Sequence, residues 1–247
     1  MLEEIAPEAE EVRIVRGRAP TLDADRTGTD AMLAATAESD VPTIRAWTPY
    51  RHLAFGRRDA RTEGYEQAKA AAEGHGYPAI ERSVGGRAVA YSGTTVAFAV
   101  AVPTTDNRRG LEARYDAATT GVVRALRSLG VPARRGEPAA SFCPGEHSVQ
   151  ARGKISGIAQ RVRRETALVA GVVVVDSHDE LASVLGPVYE ALDVPFDPDS
   201  VGSAARSGGP TDADSVTDAL RESFCGDLRR RTASVTALID EYGDHRG

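Results

Sequence analysis

The most informative part of this sequence is a pair of neighbouring stretches, SFCPGEHSV at residues 141–149 and RGKISGIAQR at residues 152–161. The first contains Cys143, one of only 2 cysteines in the chain. The second contains Lys154, and the only other lysine is Lys69, so 28 of the 30 Lys+Arg residues are arginine. Because almost every other cation is arginine, surface solubility does not explain a lysine at position 154.

A thiol and an amine so close in sequence suggest acyl-transfer chemistry. Cysteine is the strongest nucleophile among the neutral side chains. The amine of Lys154 stands on a flexible stem and can point at a substrate carbonyl, which the fixed guanidinium of arginine does not reproduce. Both residues also have a structural interpretation, Cys143 as a small buried hydrophobe and Lys154 as an exposed turn residue.

The composition is typical of an ordinary globular protein. The 247 residues are 41% hydrophobic and 27% charged, with a formal net charge of -6. We expect one large domain, or a domain with a small appendage, and no membrane span, because no apolar run reaches about 18 residues. An acidic start and two widely separated cysteines favour a reduced, cytoplasmic location. The negative charge argues weakly against a nucleic-acid partner.

Periodicity predicts an α+β fold with a mixed, mostly antiparallel sheet and helices packed on it, because strands come in runs without βαβ regularity. The predicted strands cover residues 10–16, 43–48, 52–58, 78–83, 88–103 (a hairpin or two strands), 142–150, 155–161 and 166–175. The predicted helices cover residues 21–38, 63–74, 111–129 and 179–192, with one or two more between 215 and 240. We expect a catalytic domain at 1–195, a linker at 196–212 and a C-terminal helical extension at 213–247.

Gly85 and Gly86 lie between two predicted strands. A glycine pair permits positive φ and lets a backbone approach a ligand, but it is also typical of a tight turn or bulge. The pair does not match the dinucleotide-binding pattern, since no Gly-x-Gly-x-x-Gly opens a helix here. No spacing of histidine, cysteine and carboxylate residues predicts a metal site.

Taken together, the motifs resemble the lipoate–protein ligase and octanoyltransferase family, which shares its catalytic fold with the biotin protein ligases. The resemblance covers roughly residues 10–192 and depends on HLAFGRR at 52–58, ERSVGGRAV at 81–89 and GKISGIAQR at 153–161. It implies that the acyl pocket is lined from both later motifs. The implied acyl-binding residues are Arg82, Gly85, Gly86, Ala88, Val89, Ser156, Gly157 and Ala159. The resemblance further implies that Lys154 contacts the acyl carbonyl.

The Cys-Pro-Gly run at 143–145 looks like that of the Cys-dependent octanoyl amidotransferases. In that branch the cysteine forms an acyl-thioester, which implicates Cys143. The ATP-dependent ligases tend to carry a histidine-glycine pair in a later strand, where this chain has Ala170 and Gly171. One departure points the other way, because Glu146 and His147 stand where the amidotransferases usually have an aspartate.

The resemblance therefore implies an enzyme that moves an octanoyl or lipoyl group through a Cys143 thioester onto a lysine of a lipoyl carrier domain. The implied partners are the glycine-cleavage H protein and the acyltransferase subunits of 2-oxoacid dehydrogenases. A transferase of this kind requires no cofactor. Two alternatives stay open: an ATP-dependent lipoate–protein ligase, which would need ATP and Mg, and a non-catalytic lipoate-binding member of the fold.

Overall fold

The computed structural model describes residues 1–82, 85–104, 110–163 and 165–243. Within these ranges the chain forms eleven strands and seven helices. The strands are β1 (Glu11–Arg16), β2 (Thr43–Trp47), β3 (His52–Phe55), β4 (Ala79–Glu81), β5 (Val89–Tyr91), β6 (Thr95–Pro103), β7 (Arg134–Arg135), β8 (Ser148–Ala151), β9 (Gly153–Val162), β10 (Thr166–Val174) and β11 (Arg229–Ser234). The helices are α1 (Leu2–Ile5), α2 (Leu22–Ser39), α3 (Tyr65–Gly74), α4 (Leu111–Ser128), α5 (His178–Ala191), α6 (Ala213–Cys225) and α7 (Val235–Tyr242).

The larger sheet of the described chain has the strand order β11-β1-β2-β6-β10-β9-β8-β7. Strand β1 is parallel to β11 and to β2. The other neighbouring pairs are antiparallel. The predicted α+β class, with a mixed and mostly antiparallel sheet, is therefore confirmed.

A smaller sheet has the order β4-β3-β5. It shares an apolar core with β10 of the larger sheet through Phe55, Val89 and Val172. Strand β3 is parallel to β4 and antiparallel to β5. Strands β5 and β6 thus belong to different sheets, so the hairpin alternative for residues 88–103 was wrong and the two-strand alternative was right. The last predicted residue of the strand at 78–83 lies outside the described residues.

The two faces of the larger sheet are covered differently. One face packs against α4 and α6 through Val122, Leu126, Leu220 and Phe224 in a continuous apolar core. The opposite face is covered by α2 and α7 over β1, β2 and β6. The smaller sheet, α3 and α5 pack on this side of the molecule against β10 of the larger sheet. Residues of α2 and of the smaller sheet together line a cavity on this face.

Helix α2, which borders this cavity, begins and ends at residues with clear signals. The Thr21 side chain accepts a hydrogen bond from the Ala24 amide, which satisfies a free donor at the helix start. The helix ends at Asp40, which has a left-handed conformation with φ 54°. Between the two ends of the helix, Met32 and Leu33 are buried against the sheet. The helix is therefore stabilised by the burial of one face as well as by its N-terminal cap.

Three local predictions were wrong. Strand β3 ends at Phe55, so residues 56–58 of the strand predicted at 52–58 form a turn. Residues 229–234 form strand β11, parallel to β1, where the sequence pattern had predicted only helices between 215 and 240. Its exposed arginines hide the strand signal, because an edge strand needs little apolar surface. Strand β8 begins at Ser148, so residues 142–147 form a loop and not the start of the predicted strand.

The division into residues 1–195, 196–212 and 213–247 stays a prediction, but the contacts do not favour an independent extension. Helix α6 contributes to the same core as the larger sheet. In the predicted linker, Val201 and Ala204 are fully buried. The Gly202 amide donates to the carbonyl of Lys154, and the Ala204 amide donates to that of Val174. Residues 244–247 lie outside the described residues.

No helix in the described ranges combines the length and the apolar character that crossing a membrane requires.

Candidate active site

Cys143 lies in the loop between β7 and β8 and faces a cavity. The residue has φ 44°, a left-handed conformation that non-glycine residues seldom adopt. Such strain costs about 1–3 kcal/mol and persists only where the surroundings hold it. The Cys143 amide donates to the Tyr189 hydroxyl, and that hydroxyl donates to the carbonyl of Ala88 at 3.0 Å. Cys143 is half-buried.

The Arg82 guanidinium lies beside the thiol. Its Nη2 atom donates to Cys143 Sγ at 3.3 Å and to the carbonyl of Arg87 at 2.6 Å. Burial acts to lower the Arg82 pKa, but the Cys143 and Tyr91 side chains raise it, and the net shift is upward. A fixed cation next to a thiol favours the thiolate, which is the nucleophilic form.

Gly86 brings a second loop against the nucleophile. Its φ is 99°, and a Cβ built at this position would lie 2.5 Å from Cys143 Sγ and 2.6 Å from Arg82 Nη2. Any larger residue would therefore displace the thiol or the guanidinium. Both glycines are exposed, but Gly85 differs because a Cβ there would meet no atom within 4 Å.

Lys154 lies under the Cys143 loop and is fully buried. Its Nζ donates to the two carboxylate oxygens of Glu137 at 2.9 and 3.1 Å and to the carbonyl of Cys143 at 2.8 Å. Burial lowers the pKa of the Lys154 amine, and the charge and hydrogen bonds of Glu137 oppose this shift. The amine thus contacts the backbone of the nucleophile, and no contact with the Cys143 thiol is formed.

A cavity of about 560 Å³ begins at Cys143 and runs across the larger sheet beneath α2. Its volume is within the range typical of small-molecule sites. Its walls include Leu33 of α2, Trp47 of β2 and Phe142 of the Cys143 loop.

The floor of the cavity consists of small side chains brought together by strand register. On β9 and β10, Ala159 pairs with Ala170 and Gly157 pairs with Val172. On β10 and β6, Ala170 pairs with Ala99 and Val172 pairs with Ala97, so two rows of paired residues cross three strands. Alternate residues of a strand share a face, so these small side chains lie side by side and leave depth above the sheet. An apolar chain could lie along this floor.

Of the residues implied by the resemblance, some line this cavity and others do not. Arg82, Val89, Gly157 and Ala159 line it together with Cys143. Ala88 is buried in the core beside the smaller sheet. Gly86 touches the thiol, and Gly85 is exposed.

Ser156 is also off the cavity. It is fully buried, and its hydroxyl has no hydrogen-bond partner. Strand β9 is irregular opposite Val149 and Gln150, where Ser156 pairs with Val149 but Lys154 pairs with Gln150. This bulge places Gly157 on the cavity side, which simple alternation from Lys154 would not predict.

Aromatic and imidazole groups form a further wall. The rings of His52 and Tyr91 stack with centroids 4.5 Å apart, and both residues line the cavity. His52 Nδ1 lies 2.7 Å from the carbonyl of Tyr50. Burial lowers the pKa of His52 to about 4, so the ring is neutral at pH 7.

Sequence reasoning missed Glu137, Tyr189, His52 and Tyr91. Glu137 and Tyr189 are single residues outside the motifs, and their contacts with Lys154 and the Cys143 backbone appear only in the folded chain. His52 lay within a quoted motif, but its neutral, stacked state follows from burial. In the described parts of the chain, no group of three or more His, Cys, Asp or Glu residues could hold a metal ion.

The sequence matches the family description "Lipoyl protein ligase A/B catalytic domain" over residues 27–224. The chain belongs to this family. The match includes the Arg82 loop, Cys143 and Lys154, and it extends past the predicted boundary at residue 195.

Curated relatives agree with the family. A protein from Bacillus velezensis named octanoyl-[GcvH]:protein N-octanoyltransferase is 29% identical over 167 residues, which cover 66% of this chain and 58% of that protein. A protein of the same name from Kyrpidia tusciae is 34% identical over 131 residues, which cover 53% of this chain and 45% of that protein. The chain thus spans about half the length of the curated relatives it matches.

Solved structures show the same fold. Lipoate-protein ligase A bound with ATP superposes with a TM-score of 0.74 at 21% identity, covering 95% of each chain. A bipartite lipoate protein ligase from Thermoplasma acidophilum gives a TM-score of 0.71 at 19% identity, covering 96% of this chain and 93% of that one.

Proposed function

We propose that this chain transfers an octanoyl or lipoyl group through a thioester on Cys143 to a lysine of a lipoyl carrier domain. The observation that carries the proposal is the Arg82 guanidinium, 3.3 Å from Cys143 Sγ at the head of an apolar-floored cavity. The name shared by the curated relatives, octanoyl-[GcvH]:protein N-octanoyltransferase, supports the same chemistry.

In the first half of the reaction, the Cys143 thiolate attacks the acyl carbonyl of an octanoylated carrier. The bond between the carbonyl carbon and the donor nitrogen breaks, a carbon–sulfur bond forms, and the departing amine takes up the proton that the thiol has lost. Splitting the transfer into two steps replaces one difficult displacement by two easier ones. The Arg82 guanidinium donates a hydrogen bond to the sulfur that begins the step.

In the second half, the lysine amine of the accepting carrier attacks the thioester carbonyl. A carbon–nitrogen bond forms, the Cys143 sulfur leaves as thiolate, and the attacking nitrogen loses a proton. One acyl–nitrogen bond has replaced another, so the route consumes no ATP and needs no Mg. The acyl chain rests meanwhile on the floor formed by Gly157, Ala159 and Ala170.

We propose the glycine-cleavage H protein and the acyltransferase subunits of 2-oxoacid dehydrogenases as carriers. The test is transfer of an octanoyl group from octanoylated H protein to an unmodified lipoyl domain, followed by mass spectrometry of both carriers, with and without ATP and Mg. We expect transfer at equal rates in both conditions. Labelling from free octanoate that depends on ATP would support the ligase alternative and refute the transferase.

A further inference from the structure

Glu137 accepts hydrogen bonds from two side chains at the Cys143 loop. Its carboxylate accepts hydrogen bonds from the Lys154 amine at 2.9 and 3.1 Å and from the Ser141 hydroxyl. The same amine donates to the Cys143 carbonyl at 2.8 Å. An ammonium has three N–H donors, and three oxygens lie around this one. We refer to Glu137 and Lys154 as the buried pair.

The buried pair and Tyr189 hold the backbone of Cys143 from opposite sides. Tyr189 accepts from the Cys143 amide, while Lys154 donates to the Cys143 carbonyl. Residues 142–147 have no strand or helix of their own to fix them. The left-handed φ of Cys143 is therefore maintained by these side-chain contacts.

The charge of Lys154 depends on Glu137. The amine is fully buried, and burial lowers its pKa, whereas the Glu137 side chain is 25% exposed and raises it. The other groups facing the amine are Cys143 and the ring of Phe142, whose centroid is 5.1 Å from Nζ. Without the carboxylate, a buried ammonium would have only a carbonyl and an aromatic face to support it.

We propose that Glu137 is a positioning residue for acyl transfer, which keeps Lys154 charged and directed at the Cys143 carbonyl so that the thiol is held beside Arg82. This inference rests on the proposed role of Cys143 as the nucleophile. It assigns a function to a carboxylate that no motif contains. Lys154 then acts on the nucleophile's backbone, and Arg82 is the cation that acts on its sulfur.

The test compares Glu137→Gln with Glu146→Gln, an exposed glutamate on the same loop. Octanoyl transfer between carriers is measured from pH 6 to pH 9, and kcat is expressed as a ratio to the control at each pH. This ratio cancels ionisation of the thiol and of the acceptor amine. We expect the ratio to fall by about tenfold or more at pH 9, where the unsupported amine loses its proton, and to recover toward pH 6. KM for the donor carrier stays within about twofold, because the cavity is unchanged.

A second measurement does not depend on acyl transfer. Hydrogen-exchange protection of the Cys143 amide should fall with rising pH in Glu137→Gln and stay constant in the control. If Glu137→Gln does not fold, the same measurements are made on the double variant Glu137→Leu, Lys154→Met. This variant is expected to fold, because replacing both members of a buried pair by apolar residues is often neutral for stability. We expect that variant to have low protection and a kcat ratio reduced about tenfold or more at every pH.

A kcat ratio near one at all pH values, in either variant, would overturn the inference. Loss of protection without loss of kcat would overturn it as well, since the buried pair would then be structural only. If the wild-type protein transfers no acyl group, the proposed function fails, and the protection factors still decide whether Glu137 holds the loop.

Discussion

The two cysteines of this chain have opposite surroundings. Cys225 is fully buried in the apolar core at the end of α6, and burial raises the pKa of its thiol. Cys143 lies half-buried in a loop, with the Arg82 guanidinium 3.3 Å from its sulfur and a cavity in front of it. The same side chain is thus a core residue in one place and a candidate nucleophile in the other. The difference lies in the neighbouring cation and in access to the cavity.

Replacing each cysteine should give the largest contrast. Cys143→Ser removes the thiolate and should reduce octanoyl transfer by about three orders of magnitude or more. Cys225→Ala should leave transfer unchanged and lower the free energy of unfolding by about 1 kcal/mol. Steady-state transfer assays and urea denaturation measure the two effects. Wild-type turnover in Cys143→Ser would refute the covalent route.

The guanidinium beside Cys143 is the next feature to remove. A hydrogen bond from a charged group is worth about 1.5–3 kcal/mol, so Arg82→Met should slow transfer and iodoacetamide alkylation of Cys143 by about 10–100-fold at pH 7. Arg82→Lys should recover part of both rates. Alkylation of Cys225 in the folded protein should stay negligible in every variant. Equal alkylation rates at Cys143 with and without the guanidinium would contradict its assigned role.

Steric access to the Cys143 thiol can be tested with the glycine pair. A methyl group at Gly86 would lie 2.5 Å from Sγ on a backbone with φ 99°. Gly86→Ala should therefore cost about 1–3 kcal/mol in stability and slow transfer by about tenfold. Gly85→Ala, whose Cβ meets no atom within 4 Å, should change the rate by less than about twofold. Similar losses in both variants would show that the close approach at Gly86 is unimportant.

Burial is the largest cause of the pKa shift of His52, as it is of that of Cys225. The pKa of His52 is about 4 in the folded protein against an ordinary value of 6.5, so the unfolded chain binds the proton more readily between these values. The stabilising contribution of His52 is complete above pH 6.5 and is lost as the pH falls toward 4. Between pH 7 and 4.5 the protein should lose about 2–3 kcal/mol through this residue. His52→Phe keeps a ring against Tyr91 but has no group that titrates. Between pH 7 and pH 4.5, its free energy of unfolding in urea should therefore fall by about 2–3 kcal/mol less than that of the wild type.

The fold class and the approximate position of the site could be predicted from the sequence. Runs of apolar and β-branched residues specify the central strands β6 and β10. The motif at 153–161 falls on β9, with Gly157 and Ala159 lining the cavity, and their role in binding an acyl group stays a prediction. Strand β11 could not be recognised, because an edge strand with three arginines has no apolar alternation.

The chemistry around Cys143 was only partly accessible from sequence. The resemblance implied that Lys154 contacts the acyl carbonyl, whereas the structure shows Arg82 at the sulfur of Cys143 and Lys154 at the Cys143 backbone carbonyl. The bulge in β9 opposite Val149 and Gln150 changes which side chains share a face, and the sequence pattern alone does not reveal it. Glu137 gave no signal at all, since its role follows from where the fold brings Lys154.

The Cys143 thioester can be detected by intact-mass spectrometry of the protein after incubation with octanoylated H protein in the absence of ATP, followed by peptide mapping. We expect a mass gain of one octanoyl group on Cys143, with none on Cys225, and loss of the adduct when an unmodified lipoyl domain is added. Octanoyl transfer to the lipoyl domain without any adduct on Cys143 would contradict the covalent route.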